Sequence, residues 1–230
     1  MEESCHVYVI NFKDDARRQK MAHRFKSVGM DAHFVDPVTI QDPRITNQPV
    51  PECEKRDWSI FFQNVDSLKD FVERSTYDYA IVCEDDVMIS KHLKSALPKV
   101  VELYKKCNLD ILLLSYLWPY DVPENHYFPV LYNDGDYKIQ GYPDDLWGAH
   151  MYFLSKAHAK TLLERYTPEY AIQQKEIPFC TDWQITKQGR RGLIVPMLGL
   201  EEGEVKTDHQ GQIDFHKQCF EYNYKPDVFL

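Results

Sequence analysis

The sequence predicts a single α/β domain whose central sheet is mixed but mostly parallel. A chain of 230 residues fits one large domain, and its 43% of hydrophobic residues are enough for a sizeable core. Short apolar segments of strand length alternate with longer segments whose apolar residues recur at helical spacing. Ligands of such sheets bind at the carboxyl ends of the strands, so the site is expected there.

The first half of the chain contains four predicted strands and three predicted helices. The strands are rich in β-branched and aromatic residues and are predicted at 6–12, 32–38, 79–83 and 110–117. The helices have apolar stripes and are predicted over about 15–28, 57–75 and 91–106. Asp14 and Asp15 cap the first helix, and Gly29 ends it. Pro98 should bend the third helix or delay its start, and the prolines between 41 and 51 predict a loop.

In the second half of the chain, predicted strands and helices alternate less regularly. A segment rich in proline and tyrosine, from 118 to about 140, predicts a loop. Strands are predicted at 147–155 and 192–200, and helices at 156–166 and 181–187. The residues from 201 onward form a polar tail with two histidines.

Composition disfavours several classes of protein. The chain has 27 Lys and Arg against 36 Asp and Glu, a formal charge of −9, which disfavours nucleic-acid binding. The longest apolar runs are too short to cross a bilayer. Six scattered cysteines without a CxxC pair do not have zinc-ribbon spacing. The acidic start does not resemble a signal peptide, so we expect a cytoplasmic protein.

Three carboxylates, Glu84, Asp85 and Asp86, directly follow the predicted strand 79–83. Because side chains alternate along an extended chain, Glu84 and Asp86 should face one way and Asp85 the other. Two carboxylates on one side suit Mg²⁺ or Mn²⁺, and a cation would relieve the repulsion within the triplet. The alternative is a solvated acidic turn.

Several segments in order along the chain are similar to the family 25 glycosyltransferases, which include lipooligosaccharide galactosyltransferases and collagen hydroxylysine sugar transferases. The matching segments are VINF at 9–12 with RR at 17–18, FVDPV at 34–38, YDYAIVCEDDV at 77–87, GAHMYFLSKAHAKTLL at 148–163 and TDW at 181–183. The resemblance covers most of residues 6–200. It departs from the family in the helix before the acidic triplet, where Gln63 or Asn64 would replace a histidine, and at Pro37, where the family has glycine.

The resemblance implies a GT-A fold, a Rossmann-like nucleotide-sugar domain with an acidic metal motif. The nucleotide-binding half would cover about 1–118, and the acceptor half with the tail about 119–230. The implied cofactor is Mn²⁺ or Mg²⁺, and the implied donor is UDP-galactose or UDP-glucose. A nucleotide-sugar has a diphosphate leaving group, whose developing charge such a metal would neutralise.

The resemblance also implies roles for individual residues. Asp86 would be the best direct metal ligand, with Glu84 as a second ligand close to the ribose or the donor sugar. The residues implied in nucleotide binding are, besides Glu84, the side chains of Asn11, Arg17, Arg18, Asp36 and Asp85. The alternatives are a solvated helix face for the two arginines and a turn-capping role for Asn11.

Later in the chain, Asp182 and His209 are the main candidates. Asp182 would bind or deprotonate the acceptor hydroxyl, unless it only stabilises the start of a helix that Thr181 caps. His209 would complete the metal site, with Asp208 and His216 as second and third choices; an exposed polar loop is the alternative. His150 alternates with apolar residues, which predicts a core histidine.

These observations predict a metal-dependent glycosyltransferase that moves a hexose from a UDP-sugar to a hydroxyl acceptor on a glycan, lipooligosaccharide or protein. A cytoplasmic bacterial or viral enzyme without a membrane span fits this prediction. The two alternatives are a catalytically inactive binding module and a metal-dependent phosphoryl-transfer enzyme. Four aromatic residues could form an acceptor surface or a homodimer contact, namely Phe61, Phe62, Trp118 and Tyr120.

Overall fold

The computed structural model describes residues 5–167, 173, 181–203, 207 and 209–230, apart from the side chain of Trp183. The strands in this part of the chain are β1 His6–Ile10, β2 Ala32–Phe34, β3 Tyr79–Glu84, β4 Val87–Ile89, β5 Ile111–Ser115, β6 Val130–Asn133, β7 Lys138–Gln140, β8 Met151–Ser155, β9 Arg191–Val195 and β10 Gly199–Glu201. The helices are α1 Asp15–Ser27, α2 Pro43–Thr46, α3 Lys55–Arg74, α4 Leu93–Lys106, α5 Lys156–Arg165, α6 Thr181–Thr186 and α7 Gln210–Asn223, with a single 3₁₀ turn at Glu52–Glu54.

Eight of these strands form one mixed sheet in the order β2-β1-β3-β8-β5-β9-β7-β6. The pairs β1–β2, β1–β3 and β5–β9 are parallel, and the other neighbours are antiparallel. Only β7 and β8 therefore run against the remaining strands of the sheet, which confirms a mixed α/β fold with one dominant strand direction. The strands β4 and β10 form a separate antiparallel pair.

Helices pack on both faces of the sheet, so the molecule has three layers. Along β1, Tyr8 contributes to the core under α3 and α5, while Val7 and Val9 contribute to the core under α1 and α4. This alternation follows from the period of two in a strand. Phe61 and Phe62 are fully buried in the first of these cores. The prediction that they form an acceptor surface or a dimer contact is therefore wrong, because the apolar face of α3 packs on the sheet.

The first βα unit forms as its capping residues predict. Asp14 accepts a hydrogen bond of 3.0 Å from the backbone N–H of Arg17 and so caps α1. Gly29 follows the helix with a φ of 73°, a left-handed conformation that glycine adopts without strain. The short connection brings the chain back into β2, parallel to β1. The carboxyl end of β1 consequently lies beside that of β3, where Ile10 pairs with Glu84.

Two predictions for the second half are wrong, and the polar tail has a helix that was not predicted. The loop predicted from 118 to 140 contains the hairpin β6–β7, whose outer strand is largely exposed and so lacks the alternation of a buried strand. The strand predicted at 192–200 is two strands, with Pro196 between β9 and β10. The polar tail contains α7, in which Cys219 is the one buried residue, so no apolar stripe marks the helix in the sequence.

Candidate functional site

A polar cleft of about 350 Å³ opens at the carboxyl end of β3. The residues that line it come from α1, α3, β3, the start of β8, β10 and α7, and most of them are charged. They are Arg17, Arg56, Asp57, Ile60, Glu84, Asp86, His150, Glu201, Thr207, Gln212 and His216. The cleft therefore lies where an α/β sheet places its ligands.

The acidic triplet divides as the alternation of a strand predicts. Glu84 is the last residue of β3, and its side chain and that of Asp86 line the cleft. Asp85 instead accepts hydrogen bonds from Asn11 Nδ2, at 2.6 Å, and from Arg17 Nη1, at 2.9 Å. Asp85 is thus a buried anchor for its neighbours, and the two other carboxylates are available to a ligand.

Arg17 connects the two aspartates of the triplet. Its Nη1 also lies 3.1 Å from Asp86 Oδ2, so one guanidinium nitrogen contacts both carboxylates. Partial burial of the guanidinium opposes its charge, but the hydrogen bonds and the attraction of Asp85 and Asp86 raise the pKa of Arg17. The first helix starts at the position that this contact requires, because Asp14 caps it three residues earlier.

The second oxygen of Asp86 has no partner in the described part of the chain. Its Oδ1 is buried, and no described residue donates a hydrogen bond to it. Burial raises the pKa of Asp86, His150 and Arg17 oppose that rise, and Glu201 adds to it. An unpaired buried carboxylate oxygen is costly, so the site suits a ligand that supplies positive charge or a hydrogen bond.

Glu84 lies in a strongly acidic environment. Burial, followed by repulsion from Asp86, Asp182, Asp85 and Glu201, raises its pKa well above the usual range. A bound cation would relieve this repulsion.

Glu201, which the sequence analysis missed, is a further carboxylate of the cleft and is only 4% exposed. It ends β10 opposite Val87, and the backbone N–H of the next residue, Glu202, donates to the carbonyl of Asp86 at 3.0 Å. His216 Nδ1 lies 3.2 Å from Glu201 Oε2. Burial favours the neutral carboxyl, but the hydrogen bond from His216 and the nearby imidazoles lower the pKa of Glu201 overall.

His150 also faces the cleft and is 7% exposed. Its backbone carbonyl accepts from the N–H of Glu84 at 2.9 Å, which holds the start of β8 against the end of β3. The Nδ1 atom is buried without a partner in the described part of the chain. His150 is buried, as predicted for a core histidine. Its ring nevertheless faces a polar cleft rather than an apolar core.

Arg18 and Asp36 lie outside this cleft. The guanidinium of Arg18 stacks on the ring of Phe34, 4.4 Å from its centroid. Phe34 and the exposed Asp36 line a neighbouring groove of about 440 Å³ beyond β2. These side chains therefore form a second polar surface near the carboxyl end of β1.

Behind the cleft, α3 holds Asn11 in place. Gln63 is 1% exposed, and its Nε2 donates to the carbonyl of Asn11 at 3.0 Å. Asn64 accepts a hydrogen bond from the hydroxyl of Tyr152 at 3.0 Å. Gln63 therefore positions the end of β1, and Asn64 links α3 to β8.

Asp182 and His209 occupy different surroundings from those expected. Asp182 Oδ2 accepts from the backbone N–H groups of Gly148, at 3.1 Å, and Ala149, at 3.0 Å. Thr181 is the first residue of α6, and its hydroxyl donates to the carbonyl of Asp57 at 3.0 Å. His209 is exposed at the start of α7, whereas His216 lines the cleft; Asp208 and the side chain of Trp183 lie outside the described residues.

Two negative findings apply to the described residues alone. No group of three or more His, Cys, Asp and Glu side chains among them is arranged to hold a metal ion by itself. No helix in the same part of the chain has the length and the apolar composition needed to cross a membrane.

Arg56 and Asp57 were missed by the sequence analysis as well. Together with Ile60, they line the cleft from the first turns of α3, at the spacing that places residues on one helix face. The apolar stripe of this helix is visible in the sequence, whereas no local pattern marks the polar residues of its first turn as part of a site.

No family model and no curated protein matches the chain, so the resemblance to family 25 stays a prediction. Solved structures similar to it include a glycosyltransferase involved in glycosylation of the major capsid of PBCV-1 (10% identity, 95% of this chain and 100% of that one, TM-score 0.47). Others are mannose-1-phosphate geranyltransferase from Thermus thermophilus (10% identity, 84% and 73%, TM-score 0.47) and a UDP-glucose pyrophosphorylase complexed with UDP-glucose (11% identity, 95% and 99%, TM-score 0.43). Similarities of this size carry no argument about substrate or reaction, and the assignment of a function depends on the cleft itself.

Proposed function

We propose that the protein is a metal-dependent glycosyltransferase that moves a hexose, galactose or glucose, from a UDP-sugar to a hydroxyl acceptor. The observation that carries this proposal is the Oδ1 of Asp86, which is buried and accepts no hydrogen bond from a described residue, next to Glu84 in a cleft at the carboxyl end of β3. A carboxylate pair in this place suits a divalent cation bound to a diphosphate.

The residues of the cleft fit Mn²⁺ or Mg²⁺ as a shared ligand of protein and donor. Mg²⁺ is commonly held by one or two carboxylates, with water and substrate phosphates completing the shell. The lack of a three-residue cluster among the described residues is compatible with that arrangement. Asp86 and Glu84 would bind the ion, which stabilises the charge that develops on the leaving diphosphate. His209 remains a proposed ligand that would have to approach from its exposed position.

Two arginines supply the positive charge for the donor. Arg17 is fixed by Asp85 and Asp86, so it offers an oriented charge at the edge of the cleft. Arg56 lines the same cleft and is exposed, which leaves its guanidinium available for a bidentate contact with a phosphate.

The nucleoside is proposed to extend from the cleft towards β2. Asn11 ends β1 and is held by Gln63 and Asp85. Arg18 and Asp36 lie beyond it near Phe34, where a carboxylate can accept hydrogen bonds from ribose hydroxyls and a guanidinium can stack on or bind a base.

A thermal-shift panel of UDP, GDP, CDP and ADP, each with and without Mn²⁺, tests the proposal. A ligand at 100 times its dissociation constant adds about 2.7 kcal/mol, which raises the Tm of a chain of this length by about 5–10 °C. We expect this shift with UDP and Mn²⁺ together, and a much smaller one when EDTA replaces the metal.

The other outcomes of the panel separate the alternatives. Equal shifts with all four nucleotides would contradict a UDP-sugar donor. No shift with any nucleotide would contradict nucleotide-sugar transfer and favour the inactive binding module. A shift with Mn²⁺ alone, unchanged by every nucleotide, would favour another metal-dependent reaction.

A further inference from the structure

The proton acceptor for the transfer reaction can be sought among the carboxylates of the cleft. Three conditions apply to such a group: it faces the cleft, its oxygens are not used by the fold, and it does not belong to the proposed metal motif. Glu84 and Asp86 fail the third condition. Glu201 fails the second, since it is bound by His216.

Asp182 fails the first and second conditions. Its Oδ2 is held by two backbone N–H groups, those of Gly148 and Ala149. These hydrogen bonds fix the chain directly before His150 and β8. Asp182 is not one of the residues that line the cleft. We therefore interpret Asp182 as a side chain that positions the backbone.

Asp57 meets all three conditions. It lines the cleft from the first turn of α3. No described residue donates a hydrogen bond to its carboxylate. The hydroxyl of Thr181 donates to its backbone carbonyl, which ties the start of α3 to the start of α6. Burial, with repulsion from Glu54 and Asp182, raises the pKa of Asp57 against the opposing effect of Arg56. A more basic carboxylate is a better proton acceptor near neutral pH.

We propose that Asp57 is the general base of the transfer, and that Asp182 is a positioning residue that fixes the Gly148–Ala149 backbone. This inference rests on the proposed glycosyltransferase function. The acceptor oxygen forms a bond to the anomeric carbon as the bond from that carbon to the diphosphate oxygen breaks. The bonding electron pair leaves with UDP, and the hydroxyl proton passes to the carboxylate of Asp57. Such a direct displacement inverts the anomeric configuration.

Azide distinguishes a base from a structural residue, because it attacks the anomeric carbon without losing a proton. UDP release from UDP-galactose and UDP-glucose is measured with Mn²⁺, first with water as the acceptor and then with added azide. We expect Asp57→Asn to slow the reaction with water by about 100-fold or more. Azide should restore a rate close to that of the wild type and give a glycosyl azide of inverted configuration.

The control variants make the comparison specific. Glu52→Gln removes an exposed carboxylate five residues away, which pairs with Lys55 at 2.6 Å, and should leave both reactions unchanged. Asp182→Asn should slow the water and azide reactions alike, since it disturbs the backbone beside the cleft. Asp57→Ser repeats the test if the asparagine variant does not fold, as judged by its Tm and UDP affinity.

Three results would overturn the assignment: hydrolysis at the wild-type rate by Asp57→Asn, equal loss of the water and azide reactions in that variant, or retained configuration in the product. Failure of the wild type to release UDP from either donor would instead contradict the proposed function, and this assignment with it. If the wild type releases UDP, a negative result for the Asp57 variant contradicts only the assignment of Asp57 and not the proposed function.

Discussion

Replacement of Asp86 by asparagine is expected to abolish Mn²⁺-dependent turnover of a UDP-sugar while the fold is retained. The change keeps the volume of the side chain and removes the charge of the carboxylate whose Oδ1 is buried without a partner among the described residues. Because burial raises the pKa of Asp86, its ionised form is already costly to the folded protein. The variant should therefore keep or slightly increase its Tm in the absence of metal, and lose kcat by at least about 100-fold.

The measurement is UDP release over a range of Mn²⁺ concentrations, with Asp31→Asn as a matched control. Asp31 is exposed and pairs with Lys26 on the surface, so its variant should match the wild type. Turnover by Asp86→Asn with an unchanged dependence on Mn²⁺ would remove Asp86 from the metal site. A large loss of Tm would instead assign a structural role to its charge.

Replacement of Arg17 by methionine is expected to destabilise the protein strongly. The substitution leaves Asp85 and Asp86 without their shared guanidinium, which lies 2.9 Å and 3.1 Å from them. Removing one partner of a buried ion pair costs about 3 kcal/mol or more, and a chain of this length then loses about 6–12 °C in Tm. Arg17 is 20% exposed, so the lower end of this range is expected.

Denaturant unfolding in EDTA measures this cost, because a bound cation would compensate for the missing guanidinium. Adding Asp85→Asn to the methionine variant should recover part of the lost stability, since it removes one of the two unpaired charges. A loss below about 1 kcal/mol in the single variant, the range of an exposed ion pair, or additive losses in the double variant, would show that Arg17 does not pair with Asp85 as described.

The parts of the site that come from local sequence could be predicted. Apolar residues followed by three carboxylates predict β3 and its acidic end, and the alternation of a strand predicts which carboxylates share a face. Asp14 and Gly29 mark the two ends of α1, which places Arg17 in its first turn. Each of these inferences depends on neighbours within a few residues, where geometry is nearly fixed.

The parts that depend on distant pairing could not be predicted. Glu201 reaches the cleft only because β10 pairs with β4, which lies far earlier in the chain, and the sequence before Glu201 reads as one strand. His216 belongs to a helix with a single buried residue, so no apolar stripe in the sequence marks the helix that places it. Asp57 faces the cleft and Asp182 binds backbone N–H groups only because of the tertiary fold. The sequence around an aspartate does not reveal either arrangement.

The most direct test of the central claim is a crystal structure with UDP and Mn²⁺, with anomalous scattering used to locate the metal. We expect an anomalous peak within coordination distance of Asp86 Oδ1, with the diphosphate bound to the same ion and the nucleoside extending towards Asn11 and Asp36. Manganese and UDP bound anywhere else, including the groove beyond β2 without the acidic triplet, would contradict the account.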